Sequence, residues 1–349
     1  MAQQQLSEQS WQLEDEKLAA LRSKLSAGHQ TLKQSYGSPL YGIKTGLNAA
    51  FVIDRATHDR LIDQDAGSVE LLKPFLEGKD LKKWHAQPRD LWLIYTPKNK
   101  NNIDDYPAIK DWLLPFKERL NKRATKQEWF ELQQAQFAYY EAFTTRKIYY
   151  PDITDSSKFH LDKSGAFSGN TGYFLPSEDM FLLGLLNTSV VWFVLTGLAD
   201  AVRGGFYRMF SQNINRVPIP VATDQQKETI ANLAQQIQSL AEQRYQIENS
   251  FRRRLPDLCP PERESKLKKK LHSWWLLDFP QLQAALKTAF KTTIPLTERN
   301  DWQDYFEAEQ HKINTLNQQI RELEQQLDQA IYALFDLSAD EIDLLQKNV

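Results

Sequence analysis

The chain has a single cysteine, Cys259, so no disulfide can form within it, and no C-x-x-C pair occurs. Its six histidines are scattered, none paired at metal-ligand spacing. No G-x-S-x-G elbow is present, and no G-x-G-x-x-G loop follows a predicted strand, so nucleophilic hydrolysis and dinucleotide binding lack their scaffolds. The opening MAQQQLSEQS lacks the basic and apolar stretches of a secretion signal. The reading is therefore an intracellular, cytoplasmic chain. Long apolar runs are also scarce. The exception, MFLLGLLNTSVVWFVLTGLA at 180–199, has spanning length, but Asn187, Thr188, Ser189 and Thr196 interrupt it. A buried core helix is expected there, with no membrane partner.

What is present suits a folded chain of 349 residues with 41% hydrophobic residues and nine tryptophans, room for two domains. The net charge of −2 hides an asymmetry. From Glu298 to Val349 there are 12 acidic and four basic side chains, a net of −8, which leaves +6 for the remainder. A basic body fits an anionic partner; a neutral body with an acidic terminal helix fits the same numbers.

Two stretches imitate catalytic motifs. GSPLYGIKT places Gly37, four residues, Gly42, then Ile43, Lys44 and Thr45: a P-loop with one extra residue before the lysine. A P-loop needs a buried strand before it and a helix after it, and here a Tyr-Gly-Ser-Pro loop precedes and a β-rich run follows. Pro256-Asp257 with Glu264-Ser265-Lys266 imitates a metal-dependent nuclease, but its carboxylates would have to sit on adjacent strands, and this stretch is broken by proline. Glu77-Gly78-Lys79 and Pro151-Asp152 with Asp162-Lys163 fail similarly. His29, His58, His85 and His272 sit among polar or basic neighbours and read as exposed.

Periodicity gives the organisation. Trp11 to Gln34 reads as a helix, GLNAAFVID as a strand ending near Asp54, and the stretch after Ser68 as a helix ending at Gly78. DLWLIYT and RKIYYPDI read as buried strands, YPAIKDWLLPFKERL and KQEWFELQQAQFAYY as amphipathic helices, and FSGNTGYFLP as turns with an edge strand. Asp224 to Phe251 is helical. A second long helix starts near Asp301, with Ile313, Leu316, Ile320, Leu323, Leu327, Ala330 and Leu334 alternating by three and four, a coiled-coil seam. The expected fold is mixed α/β: a lead-in at 1–34, an α/β domain at 35–220 and a helical domain at 221–349.

Three patches suit nucleic acid: KDLKKW, FSGNTGYF and RGGFYRMFSQNINR. Arginine can read guanine, Asn or Gln can read adenine, and lysines and hydroxyls suit phosphates. In order along the chain, YGIKTGLNAAFVID, VELLKPFLEGKDLKKW, LWLIYT, YPAIKDWLLPFKERL, RKIYYPDI, LLGLLNTS and RGG…INRVPIP resemble the TaqI-like C-terminal specificity region of type IIG restriction–modification enzymes and related adenine-N6 DNA methyltransferases. The tail INTLNQQIRELEQQLDQAIYALFDLSADEIDLL is similar to the helical ending of the same proteins and to the spacer helices of type I specificity subunits.

The resemblance implies a target-recognition module for double-stranded DNA. The family's catalytic tetrapeptide [NDS]-P-P-[YFW] and its S-adenosylmethionine loop are missing. The cofactor and the methyltransferase core, with or without a nuclease, are therefore expected on another chain or as lost from this gene, and no cofactor or metal is expected in this chain. The resemblance gives Lys44, Thr45 and Asn48 a DNA-backbone role, or else a structural turn; Lys79, Lys82 and Lys83 phosphate contacts; and Arg203, Arg208, Gln212 and Asn213 base or backbone contacts, or else loop anchoring. Two other functional readings stay open: an adenine-specific methyltransferase or nuclease active by itself, and an inert remnant or helical interaction protein.

Overall fold

In a computed structural model, residues 16–263 and 265–349 are described. The expected helix at Trp11–Asp15 and Glu264 of the nuclease-like string lie outside them. The described residues form two compact units: those up to Ala231 with Asp328–Val349, and Asn232–Leu327. From Asp328 onward the chain groups with the first unit, although periodicity alone assigns it to the helical domain.

The first unit is built on small sheets. One runs Leu40–Tyr41, Gly172–Leu175, Lys147–Pro151, His160–Asp162, all antiparallel. A second runs Val52–Asp54, Leu91–Ile94, Leu72–Leu76, Phe167–Ser168, the last pair parallel. A third joins Asp200–Val202, Phe206–Arg208 and Ile153–Thr154. Gln30–Thr31 pairs with Pro218–Ile219. Every residue of Lys147–Pro151 is buried, the apolar run from Ile148 and also Lys147 before it. Phe143 stacks on Phe167 at 4.8 Å in the core between the first two sheets.

Several elements differ from the periodic reading, each for a local reason. The N-terminal helix stops at Ser26, because Gly28 turns left-handed (φ +76°), and a capping box between Thr31 and Gln34 starts a new short helix at Leu32. GLNAAFVID begins with one helical turn, Asn48–Phe51, before its strand. No helix follows Ser68. A 3-10 turn capped by Asp65 leads into strand Leu72–Leu76, and Pro74 accounts for it, since proline inside a helix costs about 3 kcal/mol. KQEWFELQQAQFAYY is mostly irregular. Arg123, not a helix ladder, satisfies its carbonyls: the guanidinium donates to Glu131 O (2.7 Å), Trp129 O (3.0 Å), Glu128 O (3.3 Å) and Thr45 O (3.0 Å). The buried Glu131 carboxylate accepts from the N–H groups of Asn99 and Glu128. Gly172–Leu175 is interior, not an edge strand.

The apolar segment 180–199 is two helices, Met180–Leu186 and Ser189–Leu198, bent by 63°. Asn187 causes the bend by pairing with the Phe159 backbone: Oδ1 accepts its N–H (3.1 Å) and Nδ2 donates to its C=O (2.9 Å). Asp328 caps the second helix by accepting the Ser189 N–H at 3.0 Å. Among the described residues, no single helix is long and apolar enough to cross a membrane.

In the second unit, parts of the long helices Asp224–Arg254 and Arg299–Leu334 enclose a compact insert. Phe251 stacks on Trp274 at 3.9 Å, beside Phe306, and the Trp274 indole donates to Glu248 O at 3.1 Å. Of the seam residues, Ile313, Ile320 and Leu327 are buried and Leu316, Leu323, Ala330 and Leu334 half-buried, and Arg244 of one helix bonds Asn317 of the other at 2.9 Å.

His58 and His85 are buried rather than exposed, His58 lying on Trp92 at 3.8 Å between ring centroids. A third buried histidine, His160, neighbours the ion pair Lys147–Asp162 (2.8 Å). Burial holds its imidazole at about 4, against the pull of Asp162 and with the help of Lys147. The folded value lies below the unfolded one near 6.5, so its contribution is present above pH 6.5 and is lost as pH falls towards 4. Urea unfolding across that window should lose about 3 kcal/mol from this residue, and His160→Phe should flatten the profile. An unchanged profile in that variant would count against a neutral buried imidazole.

Candidate nucleic-acid interface

Residues Gly169-Asn170-Thr171 bring the sequence-predicted patches together. Gly42 lies so close that a β-carbon there would sit 2.1 Å from Gly169 O, and one at Gly78 would sit 2.3 Å from Thr171 O. Both positions therefore require glycine. Ile43 bridges Gly169, and the Gly78 N–H donates to Thr171 Oγ1 at 2.9 Å. Asp152 donates its N–H to Thr171 O (2.9 Å) and accepts at its C=O from Met209 N–H (2.7 Å). The loop thus ties GIKTG, the LEGKD turn and the RGGFYRMF segment to one place.

The predicted residues divide into surface and scaffold. Lys44 is exposed; its backbone pairs with Gln134 in an antiparallel bridge, and its ammonium has no partner among the described residues. Thr45 is buried, its hydroxyl donating to Asn48 Oδ1 at 2.6 Å and accepting from Leu47 N–H, so these two build the turn with Gly46 (φ +79°). No P-loop geometry forms here, because Lys44 lies in a bridge, not at a helix start.

Lys79 is exposed and pairs with Glu77 at 3.1 Å. Lys82 is half-buried and held below the usual lysine range, first by burial and then by Lys158. Lys83 lies over the Trp84 ring at 5.8 Å. Arg203 is exposed at a hairpin tip made by Gly204 and Gly205, both at positive φ. Gln212 is exposed, whereas Asn213 is buried and donates to Arg208 O at 3.2 Å, an anchoring role.

Arg208 is the most informative of the set. Its guanidinium sits over Phe210 at 5.3 Å and 4.0 Å from Asp152, and neither its Nε nor Asp152 Oδ1 has a hydrogen-bond partner. Burial raises the Asp152 carboxyl, and Arg208 opposes that rise. This arginine is two-fifths exposed and retains donor capacity for a base edge or phosphate.

A row of aromatics missed by the sequence reading continues from it. Tyr173 stacks on Tyr150 (5.5 Å) and approaches Tyr41 (6.5 Å). Tyr139 donates its hydroxyl to Tyr41 O at 2.9 Å, and in the same turn Phe137 carries Lys100 over its ring at 4.5 Å. Tyr41 and Phe137 are each more than two-fifths exposed. Aromatics and unpaired cations along one ridge suit sugars, bases and phosphates. The signal in the text was PKNKNN, two lysines in a polar loop directly after a strand.

Comparison with known proteins gives this ridge its context. Residues 73–219 match the family model described as the TaqI-like C-terminal specificity domain. That segment is similar to this specificity domain. Residues 223–331 match a second model, described only as a domain of unknown function. A curated relative, type II methyltransferase M.MjaIV of Methanocaldococcus jannaschii, is 27% identical over 214 residues, 56% of this chain and 69% of the relative. A solved structure of the type IIL restriction–modification enzyme MmeI in complex with DNA aligns with 82% of this chain at 15% identity and a TM-score of 0.45. The chain spans about a third of that protein, 36%. The specificity-domain match and the methyltransferase relative support a DNA-recognition module of a restriction–modification system.

Two sets of variants test the ridge. Arg208→Ala should relax base preference at one position, by about 1–3 kcal/mol of discrimination. Lys44→Ala and Lys100→Ala should each weaken binding to all sequences and reduce the salt slope by about one. Measured anisotropy curves superimposing on wild type would remove these residues from the interface. Separately, Gly42→Ala should lower urea stability by roughly 1–3 kcal/mol, because the loop at Gly169 must move.

Proposed function

We propose that this chain selects a DNA sequence for an adenine-N6 methyltransferase of the type IIG kind whose catalytic core, with its S-adenosylmethionine, is carried on another chain in the cytoplasm. The observation that carries this reading is the specificity-domain match over 73–219 in a chain without an [NDS]-P-P-[YFW] tetrapeptide. A methyltransferase must flip its adenine out of the duplex, so a separate part has to select the site and grip the backbone first. Arg208 and Gln212 are the base-reading candidates. Arg203, Lys44, Lys79, Lys82, Lys83 and Lys100 are the backbone candidates. Thr45, Asn48 and Asn213 hold the frame for them.

The catalytic partner would dock on the outer faces of the long helices. Their seam residues Ile313, Ile320 and Leu327 are already buried within this chain. Selection of bound duplexes from a randomised pool tests the reading. One enriched motif containing adenine is expected, with methyl transfer from S-adenosylmethionine by this chain alone at background. A pool that stays random would refute sequence selection, and methylation by the isolated chain would make it an enzyme in its own right.

A further inference from the structure

The unit Asn232–Leu327 segregates its charges. From Arg252 to Lys291 there are ten lysines and arginines against four acids, whereas from Glu298 to Glu324 there are seven acids against three basic residues. The acids of the second stretch lie on or beside the Arg299–Leu334 helix. The bases of the first lie at the end of the Asp224–Arg254 helix and on the insert that follows.

These cations are not neutralised locally. Among the described residues, Arg253, Lys269, Lys270, Lys287 and Lys291 are exposed and form no ion pair, unlike Arg252, which pairs with the buried Glu248 at 2.9 Å. Two of them, Lys269 and Lys270, rim with Lys268 a cleft of about 340 Å³ between Lys268–Leu271 and the Phe279–Phe290 helix. Its floor includes Leu271, Ala284 and Ala285, and Lys268 spans it by donating to Thr288 O at 3.1 Å. An apolar floor under unpaired ammonium groups matches a sugar–phosphate strand, which alternates an apolar ribose face with an anionic oxygen cluster. The spread of the cations over the insert and the helix end, rather than one point, suits a long polyanion.

We propose that this lobe is a second, sequence-independent DNA contact that grips phosphates outside the segment read by the specificity domain. The inference rests on the DNA-recognition reading above but concerns residues that domain does not contain. The test compares the full chain with its Lys269→Ala/Lys270→Ala/Lys287→Ala variant, which leaves the Lys268 bridge intact. Anisotropy is read on duplexes carrying the selected motif, over a salt series, with a circular-dichroism melt to confirm folding. The variant should keep the same enriched motif and lose about three from the slope of log K against log salt. On duplexes trimmed to the motif alone, variant and wild type should bind equally.

A folded variant with wild-type affinity and slope on the long duplex overturns this inference and leaves the proposed function standing. Wild-type protein that binds no duplex at all overturns both. A variant that keeps the wild-type slope but loses binding to polyglutamate, a stand-in for an acidic protein surface, overturns the DNA contact in favour of a protein partner.

Discussion

Backbone crowding at Gly169–Thr171 is the constraint on which the recognition surface depends. Two glycines far apart in sequence, Gly42 and Gly78, press on the carbonyls of Gly169 and Thr171 in this loop at distances that no side chain allows. Through the loop and the peptide of Asp152, strands of three sheets reach one another. Strand Lys147–Pro151 passes into Ile153–Thr154 at Asp152, and Phe167–Ser168 passes into Gly172–Leu175 through the loop itself. Tyr41, Tyr173 and Arg208 take their positions from these crossings. The surface is therefore a product of main-chain packing, and its side chains are carried by it.

Behind that surface lies a polar knot in an otherwise apolar core. Lys147 is fully buried and donates to Asp162 Oδ2 and to the carbonyls of Phe143 and Thr145. Burial lowers the ammonium against the opposing pull of Asp162. Burial would raise the Asp162 carboxyl, but Lys147 and the Ser164 hydroxyl bring it below the usual range. Removing one member of such a pair strands the other, at about 3–5 kcal/mol. This arrangement fixes the register of the two strands that carry it, because a one-residue slip would turn both charges to the wrong face.

Much of this was legible in the text, and the failures have physical causes. The long helices were legible because a three-and-four apolar rhythm is a property of the sequence, and Ile313, Ile320 and Leu327 on that rhythm are buried. Strands 91–94 and 147–151 were legible because the short apolar, aromatic-bearing runs LWLI and IYYP favour a strand. The helix expected after Ser68 failed because Pro74 outweighs the surrounding leucines. The helix expected at 126–140 failed because the guanidinium of Arg123, just before it in sequence, takes the carbonyls of Glu128, Trp129 and Glu131. Of the residues named for the interface, Lys44 is exposed and Arg208 two-fifths exposed, whereas Thr45 and Asn213 are buried and take the turn-building and anchoring alternatives, since burial is a tertiary property. Tyr41 and Phe137 went unnoticed, because exposed and buried aromatics read alike.

Asp328 caps Ser189, and Lys24 meets Glu341 at 2.7 Å, so segments from before and after the helical lobe are fastened into the same body. The lobe is thus a closed excursion of the chain: the fold leaves its first unit after Ala231 and returns to it at Asp328. Domains inserted in this way are tolerant of replacement, since the host keeps its own core and contacts. A change in the lobe's length or charge would therefore leave the Gly169–Thr171 loop with the contacts it makes inside the first unit.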